Sequence, residues 1–393
     1  MSPENTKNLS IYIHVPFCKR KCRYCAFASE DCDFDRIDPY VRALIQEINL
    51  QSEYLMKNPE LVSIYIGGGS PNLLKPEHIF DILCAFQKYV KLDSLQEFTI
   101  EVNPGGINSG LLSKYREAGI NRISIGCQSI HDRELKTLGR IHTSKNIIDA
   151  VQFASDCGFS QRSLDFIYGI PGQTLESWSE TLHRAILTGV EHISLYNLIF
   201  EKGTVLYTMR EKGKIKPLDE GLEWQMYDLA HQMLASSGYI HYEISNWAKS
   251  GCEAIHNSVY WSGGKYLGFG AAAHSFDGER RWWNYSAVDD YLRKISDGKL
   301  PIENSESLTE ANVLAEYVLL RLRTMDGMNF QDLERSTGMT SAKILEKLRD
   351  KLKLPDLEQY GRITDNRLVL NHHGWFICDY IIENVLTVIE EKL

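Results

Sequence analysis

Hydrophobic positions in the first half of the chain fall into short β-rich runs bounded by loop residues: SIYIHV (10–15), LVSIYI (61–66), EFTIEV (97–102), NRISIG (121–126), SLDFIYG (163–169) and HISLYNL (192–198). Between them lie helix-length stretches, 40–55, 76–90, 110–118, 144–157 and 175–188, whose apolar residues recur near helical period. Strand then helix, repeated, predicts parallel strands joined by helical crossovers. The first strand is not followed by a nucleotide fingerprint of the G-x-G-x-x-G type. The series therefore predicts an α/β fold built on a partial (β/α)6 barrel of the TIM type, not a dinucleotide-binding sheet.

After Glu201 the pattern changes. A helix is expected over 219–236, leading into IHYEISNWA (240–248) and then a glycine- and aromatic-rich stretch, 256–276, too irregular for a long helix. This region predicts a loop-rich cap over one end of the barrel. From 308 the pattern is helical again, with candidates at 310–323, 330–334 and 341–351, a hairpin at 361–371 and a last helix at 375–390. Helices followed by a two-stranded wing predict a winged-helix-like C-terminal domain. The expected division is a barrel over 1–205, a connecting cap over 206–304 and a helical domain over 305–393.

Composition narrows the function. Of 393 residues, 43% are hydrophobic and 24% charged, with no low-complexity tract, so folded structure is expected throughout. The net charge of −9 argues against a nucleic-acid partner. From Ser305 onward acidic residues outnumber Lys plus Arg by 15 to 11, opposite to the electrostatic footprint of a DNA-binding wing. The polar opening MSPENTKNLS carries no apolar core of a signal peptide, and no run approaches a membrane span, which predicts a cytoplasmic protein. Nine cysteines in such a chain point to metal or redox chemistry in place of a disulfide framework.

Three of those cysteines carry the strongest chemical signal. Cys18, Cys22 and Cys25, in HVPFCKRKCRYCAF just past the first strand, have the spacing C-x3-C-x2-C. A four-iron cluster normally takes four thiolates, so a group of three leaves one iron open to a small molecule. Zinc is the alternative at this spacing, with His14 or Cys32 as a further ligand. Active sites of parallel barrels gather at the carboxyl ends of the strands, and the distinctive polar residues fall there. Gly67, Gly68, Gly69 and Ser70 follow the second strand, Glu101 and Asn103 close the third, Gln128 and Ser129 follow the fourth, Arg140 and His142 lie in the next loop, and Asp165 is in the fifth. An acid, an amide, a guanidinium and a glycine cradle on one rim suit a polar, zwitterionic ligand.

The cysteine motif followed in order by GGGSP, EVNP, IGCQS, LGRIH and DFIYGIPGQT resembles the radical S-adenosylmethionine (SAM) superfamily. More narrowly, over essentially the whole chain, it resembles the group that holds the oxygen-independent coproporphyrinogen III oxidases and the heme chaperones. The resemblance implies a [4Fe-4S] cluster on Cys18, Cys22 and Cys25, with SAM on the open iron and an electron donor for the cluster. It implies SAM contacts from Tyr12, Gly68 and Glu101, and from Tyr24, Gly69, Ser70, Gln128, Arg140 and Asp165, which match positions around SAM or a second SAM in the oxidase. Two departures favour the chaperone branch. Phe27 stands where the oxidases carry a further cysteine, and only 17 residues precede Cys18, where the oxidases have a longer segment. HNSVYW (256–261) fits the HNxxYW signature associated with heme, which implies His256 as an axial ligand and an unidentified heme-acceptor protein as partner. His274 competes as a ligand, although an interior, hydrogen-bonded role is expected for it. Cys252 is a further thiolate near this motif. The oxidase reaction is the alternative function, and no catalytic residue is assigned.

Overall fold

In a computed structural model the structure describes residues 9–352, 357–364 and 366–390. Most of the opening segment that bears on a leader sequence, residues 1–8, lies outside them.

Six parallel strands form the frame: β1 (Leu9–Val15), β2 (Leu61–Gly68), β3 (Glu97–Val102), β4 (Arg122–Gln128), β5 (Gln161–Tyr168) and β6 (His192–Asn197). Helices α1 (Ile37–Leu50), α2 (Pro76–Phe86), α3 (Ser109–Glu117), α4 (Ser144–Asp156) and α5 (Leu175–Leu187) make the crossovers. The strands are two-sided. Ile64, Ile66, Phe98, Ile100, Ile123, Ile125, Leu164, Ile193 and Leu195 alternate onto the helical side and are fully buried in the main core. The intervening positions, Ser63, Tyr65, Thr99, Glu101, Ser124, Asp165 and Ser194, point the other way, into the lumen.

The region expected to cap the barrel is instead built into its wall and floor. A helix, α6 (Glu220–Ser236), precedes a hairpin of β7 (Ile240–Glu243) and β8 (Asn246–Ala248), and β8 pairs antiparallel with β6. Next comes a short helix, α7 (Ile255–Trp261), and then β9 (Lys265–Phe269), which pairs parallel with β1. Three more strands, β10 (His274–Phe276), β11 (Arg280–Asn284) and β12 (Ile302–Ser307), extend this edge antiparallel, with α8 (Val288–Ser296) before the last. The result is one twelve-stranded sheet in the order β12-β11-β10-β9-β1-β2-β3-β4-β5-β6-β8-β7, curled but not closed. KYLGF forms β9 because Leu267 and Phe269 are fully buried against the sheet's outer layer, which the glycine between them obscures in the sequence.

The C-terminal module packs α9 (Glu310–Arg321), α10 (Phe330–Thr337), α11 (Ser341–Leu352), α12 (His372–Phe376) and α13 (Cys378–Glu390) around a small sheet of β13 (Met328–Asn329), β14 (Gly361–Thr364) and β15 (Arg367–Leu370). The wing has three strands where two were expected. The expected last helix divides between α12 and α13 at Ile377, which is not helical.

Candidate functional site

The alternation of the barrel strands leaves a hollow lumen. Its cavity, about 530 Å³, runs from the loop after β1 down to α7. Cys18, Cys22, Cys25, Tyr24, Gly68, Gly69, Ser70, Glu101, Gln128, Arg140 and Asp165, all singled out from the sequence, line it together. Tyr12 and His256 do not.

Around the cysteines the chain is tied down by its own backbone. Gly69 N–H donates to Val15 O at 2.7 Å, and Arg23 N–H donates to Leu138 O at 2.9 Å, which fixes the cysteine loop against the strand-two and strand-four loops. A methyl group on Gly69 would lie 2.6 Å from Phe17 O and 2.9 Å from Cys18 Sγ, so only glycine admits this approach. Gly68 has φ +113°, and a side chain there would meet the His14 ring. Arg140 spans the rim: Nη1 donates to Cys22 Sγ at 3.4 Å, and Nη2 donates to Gly126 O at 2.7 Å and also to Asn103 Oδ1. Gln128 enters the lumen from a left-handed conformation, φ 67°, at a register shift between β4 and β5.

The donor set fits a cluster better than a single ion. A tetrahedral zinc site needs a fourth protein ligand beside the three thiolates, and the two candidates do not supply it. His14 has no nitrogen to offer, because Tyr12 OH bonds Nδ1 at 3.0 Å and Nε2 bonds Ala28 O at 2.8 Å. Cys32 is outside the cavity lining. Three open thiols facing a chamber with space beyond them suit a polynuclear cluster with one uncommitted corner.

Deeper in, Glu101 accepts from Tyr65 OH at 2.8 Å and from Gly68 N–H at 3.2 Å. Burial pushes its carboxyl up to about 7, against the pull of those donors. A carboxylate so desolvated is ready to regain charge opposite a ligand ammonium. Asp165 accepts from Ser124 Oγ at 2.8 Å and Ser163 Oγ at 3.1 Å, and burial raises it too. Ser70 Oγ accepts from Asn103 Nδ2 at 2.7 Å. The chamber thus opposes an acid and a guanidinium across a glycine edge, the complement of a zwitterion.

Tyr12 stands one layer back, with its ring 6.2 Å from that of Tyr65. Tyr65 was not singled out, yet it lines the cavity and orients Glu101. Neither were Arg122, Ser124, Ser163, His192, Ser194 or Tyr196, all lining residues. Their signal was present in the period-two alternation of the strands.

HNSVYW lies at the opposite end. Its helix α7 crosses the amino ends of the strands: Ile255 N–H donates to Glu97 Oε2 at 2.7 Å, and Arg122 donates to Cys252 O at 3.3 Å. His256 is 1% exposed, with Nδ1 bonded to Ser63 Oγ at 2.9 Å and Nε2 to Tyr260 OH at 2.8 Å. Burial drives its pKa down to about 3. The expected axial ligand is therefore, in this structure, a neutral interior histidine with both nitrogens committed. Asn257, its neighbour, is the residue of the motif that reaches the lumen. His274 reverses its expectation as well: it is exposed on β10, with its ring stacked 5.5 Å from Trp283.

The description of the radical SAM superfamily matches residues 12–185. The chain is 33% identical over 368 residues to the heme chaperone HemW of Bacillus subtilis (strain 168), covering 93% of this chain and 96% of that protein. It is 37% identical over 376 residues to the heme chaperone HemW of Escherichia coli (strain K12), covering 92% and 96%. Among solved structures, coproporphyrinogen III oxidase (HemN) from Escherichia coli, described as a radical SAM enzyme, superposes with a TM-score of 0.81 over 98% of this chain and 91% of that one. At 21% identity that likeness speaks to the fold.

Proposed function

The chain belongs to the HemW family of the radical SAM superfamily, and on that premise we propose that it is a heme chaperone, holding a [4Fe-4S] cluster and SAM and delivering heme to an acceptor protein. The observation that carries the reading is the single chamber gathering the three cysteines, the glycine edge, Glu101, Gln128, Arg140 and Asp165. Cys18, Cys22 and Cys25 would hold the cluster, which when reduced supplies an electron to the sulfonium of SAM. Glu101 takes the ligand's ammonium and Arg140 offsets negative charge at Cys22. Gly68 and Gly69 let the ligand's backbone-like edge approach, and Asp165 accepts from a ligand hydroxyl deeper in the lumen.

Phe27, 66% exposed at the cavity mouth, offers an apolar edge where an additional thiolate would stand in an oxidase. Among the described residues no helix is long and apolar enough to cross a membrane. The electron donor and the acceptor are separate proteins in this reading.

The test is anaerobic. Cluster-loaded protein is titrated with heme and followed at the Soret band, then incubated with SAM, a reductant and coproporphyrinogen III, with the porphyrins separated by chromatography. The chaperone reading expects a saturable Soret shift and no protoporphyrinogen. Product formation, or no heme-dependent shift with an intact cluster, overturns it.

A further inference from the structure

Where α6 meets the C-terminal module, Asp228, His372 and His373 bring one ligand atom each within 4.8 Å of one another. Asp228 comes from α6 and the two histidines from the first turn of α12. We propose that these three residues form a divalent transition-metal site of the zinc class, which fastens the C-terminal module to the barrel.

The geometry is that of ligands already gathered. His372 Nε2 lies 3.0 Å from Asp228 Oδ1. With metal–nitrogen and metal–oxygen bonds of about 2.0–2.2 Å, two ligands of one tetrahedral ion stand roughly 3.3 Å apart, so a small adjustment admits the ion between them. The other carboxylate oxygen is held from behind, where Gln232 Nε2 donates to Asp228 Oδ2 at 2.8 Å. A hydrogen-bonded outer partner of this kind aims a ligating carboxylate. The imidazoles are likewise held in place. His372 stacks on His231 at 3.9 Å between ring centroids, and His373 packs 4.8 Å from the Trp224 ring. Asn371 caps the turn that presents both, accepting from Gly374 N–H at 3.0 Å.

Two imidazoles and one carboxylate suit zinc and its neighbours over calcium or magnesium, which prefer all-oxygen sites. Three protein ligands leave a position for water. Side-chain exposures of 28% for Asp228 and 16% for His372 leave an entry path. The two sides are independently anchored: Trp178 Nε1 donates to Met226 O at 2.8 Å on α6, and Trp375 Nε1 donates to Leu322 O at 2.9 Å in the module. An ion here joins two bodies that each hold their own half of the site. It uses no residue of the cysteine chamber.

The full-length, cluster-loaded protein is dialysed against a weak chelator, supplied anaerobically with zinc chloride, desalted and analysed for zinc and iron by mass spectrometry. Wild type is expected to retain about one zinc beyond its cluster iron, and His373→Gln and Asp228→Asn to bind it at least about tenfold more weakly with iron unchanged. Gln232→Ala keeps all three ligands and is expected to weaken zinc by about tenfold, so the proposal survives misfolding of a ligand variant. Zinc should also slow amide exchange across 371–376 in wild type alone. No zinc retained by wild type, or equal retention by all four proteins, overturns the site.

Discussion

Gly69→Ala puts the cysteine chamber to a direct test. The added methyl would lie 2.6 Å from Phe17 O, 3.0 Å from Phe17 C and 2.9 Å from Cys18 Sγ. Two of those neighbours are backbone atoms, and Gly69 is itself pinned to Val15 O at 2.7 Å, so neither side yields as a long side chain would. Relief needs a movement of roughly half an ångström or more in the segment that carries Cys18. Overpacking of this kind costs about 1–3 kcal/mol. Because the displaced residue is a cluster ligand, most of that cost should appear in the affinity for the cluster, as a loss of roughly 5- to 150-fold at about 1.4 kcal/mol per decade. The assay is anaerobic reconstitution followed by a chelator challenge, with the iron–sulfur absorbance followed over time. Gly110→Ala is the control, since its methyl meets only the Asn108 side chain, at 3.3 Å. If Gly69→Ala holds its cluster as wild type does, the cysteine loop is not clamped by this glycine and the account of the site fails.

Two further expectations rest on buried groups. Glu47 is 0% exposed, accepts from Gly270 N–H, Tyr291 OH and Asn284 Nδ2, and is pushed up by burial to about 7. The folded chain therefore keeps this proton where the unfolded chain has lost it; Glu47's own contribution to stability is greatest below about pH 4.5, falls by up to about 1.4 kcal/mol per pH unit and levels above pH 7, while buried histidines such as His256 slope the other way, so the check is the difference between wild type and Glu47→Gln, which should change with pH across that range in denaturant titrations. His256→Ala strands Ser63 and Tyr260 and opens a cavity, so it should lower unfolding free energy by about 2–4 kcal/mol while leaving the heme Kd within about threefold; a lost Soret shift in folded His256→Ala protein would restore this histidine as a ligand.

Much of the frame could be read from the chain. The six parallel strands and their helices follow from hydrophobic runs such as LVSIYI and EFTIEV, and the rim residues follow from the rule that places function at strand ends. What escaped was the inside of the barrel. Ile64 and Ile66 announce a strand, but Ser63 and Tyr65, which alternate with them, announce a polar lumen, and that second message shows only when several strands are compared. The stretch 256–276 misled for a different reason: Leu267 and Phe269 are separated by Gly268, whose lack of a side chain lets His274 and its backbone come close across β9 and β10. A motif also says nothing of depth. HNSVYW names a histidine without telling that Ser63, distant in sequence, would claim one of its nitrogens. Asp228 and His372 likewise meet only in the folded chain.

The floor laid by α7 has a consequence for traffic. With the amino ends of β3 and β4 tied to residues 252–255, the lumen is floored at that end and lined by the cysteine loop at the other. A molecule seated near Asn257 and one seated at the cysteine loop share that one chamber. Occupancy of the rim and of the floor would then be coupled, since whichever ligand binds second meets a chamber whose free volume the first has already set.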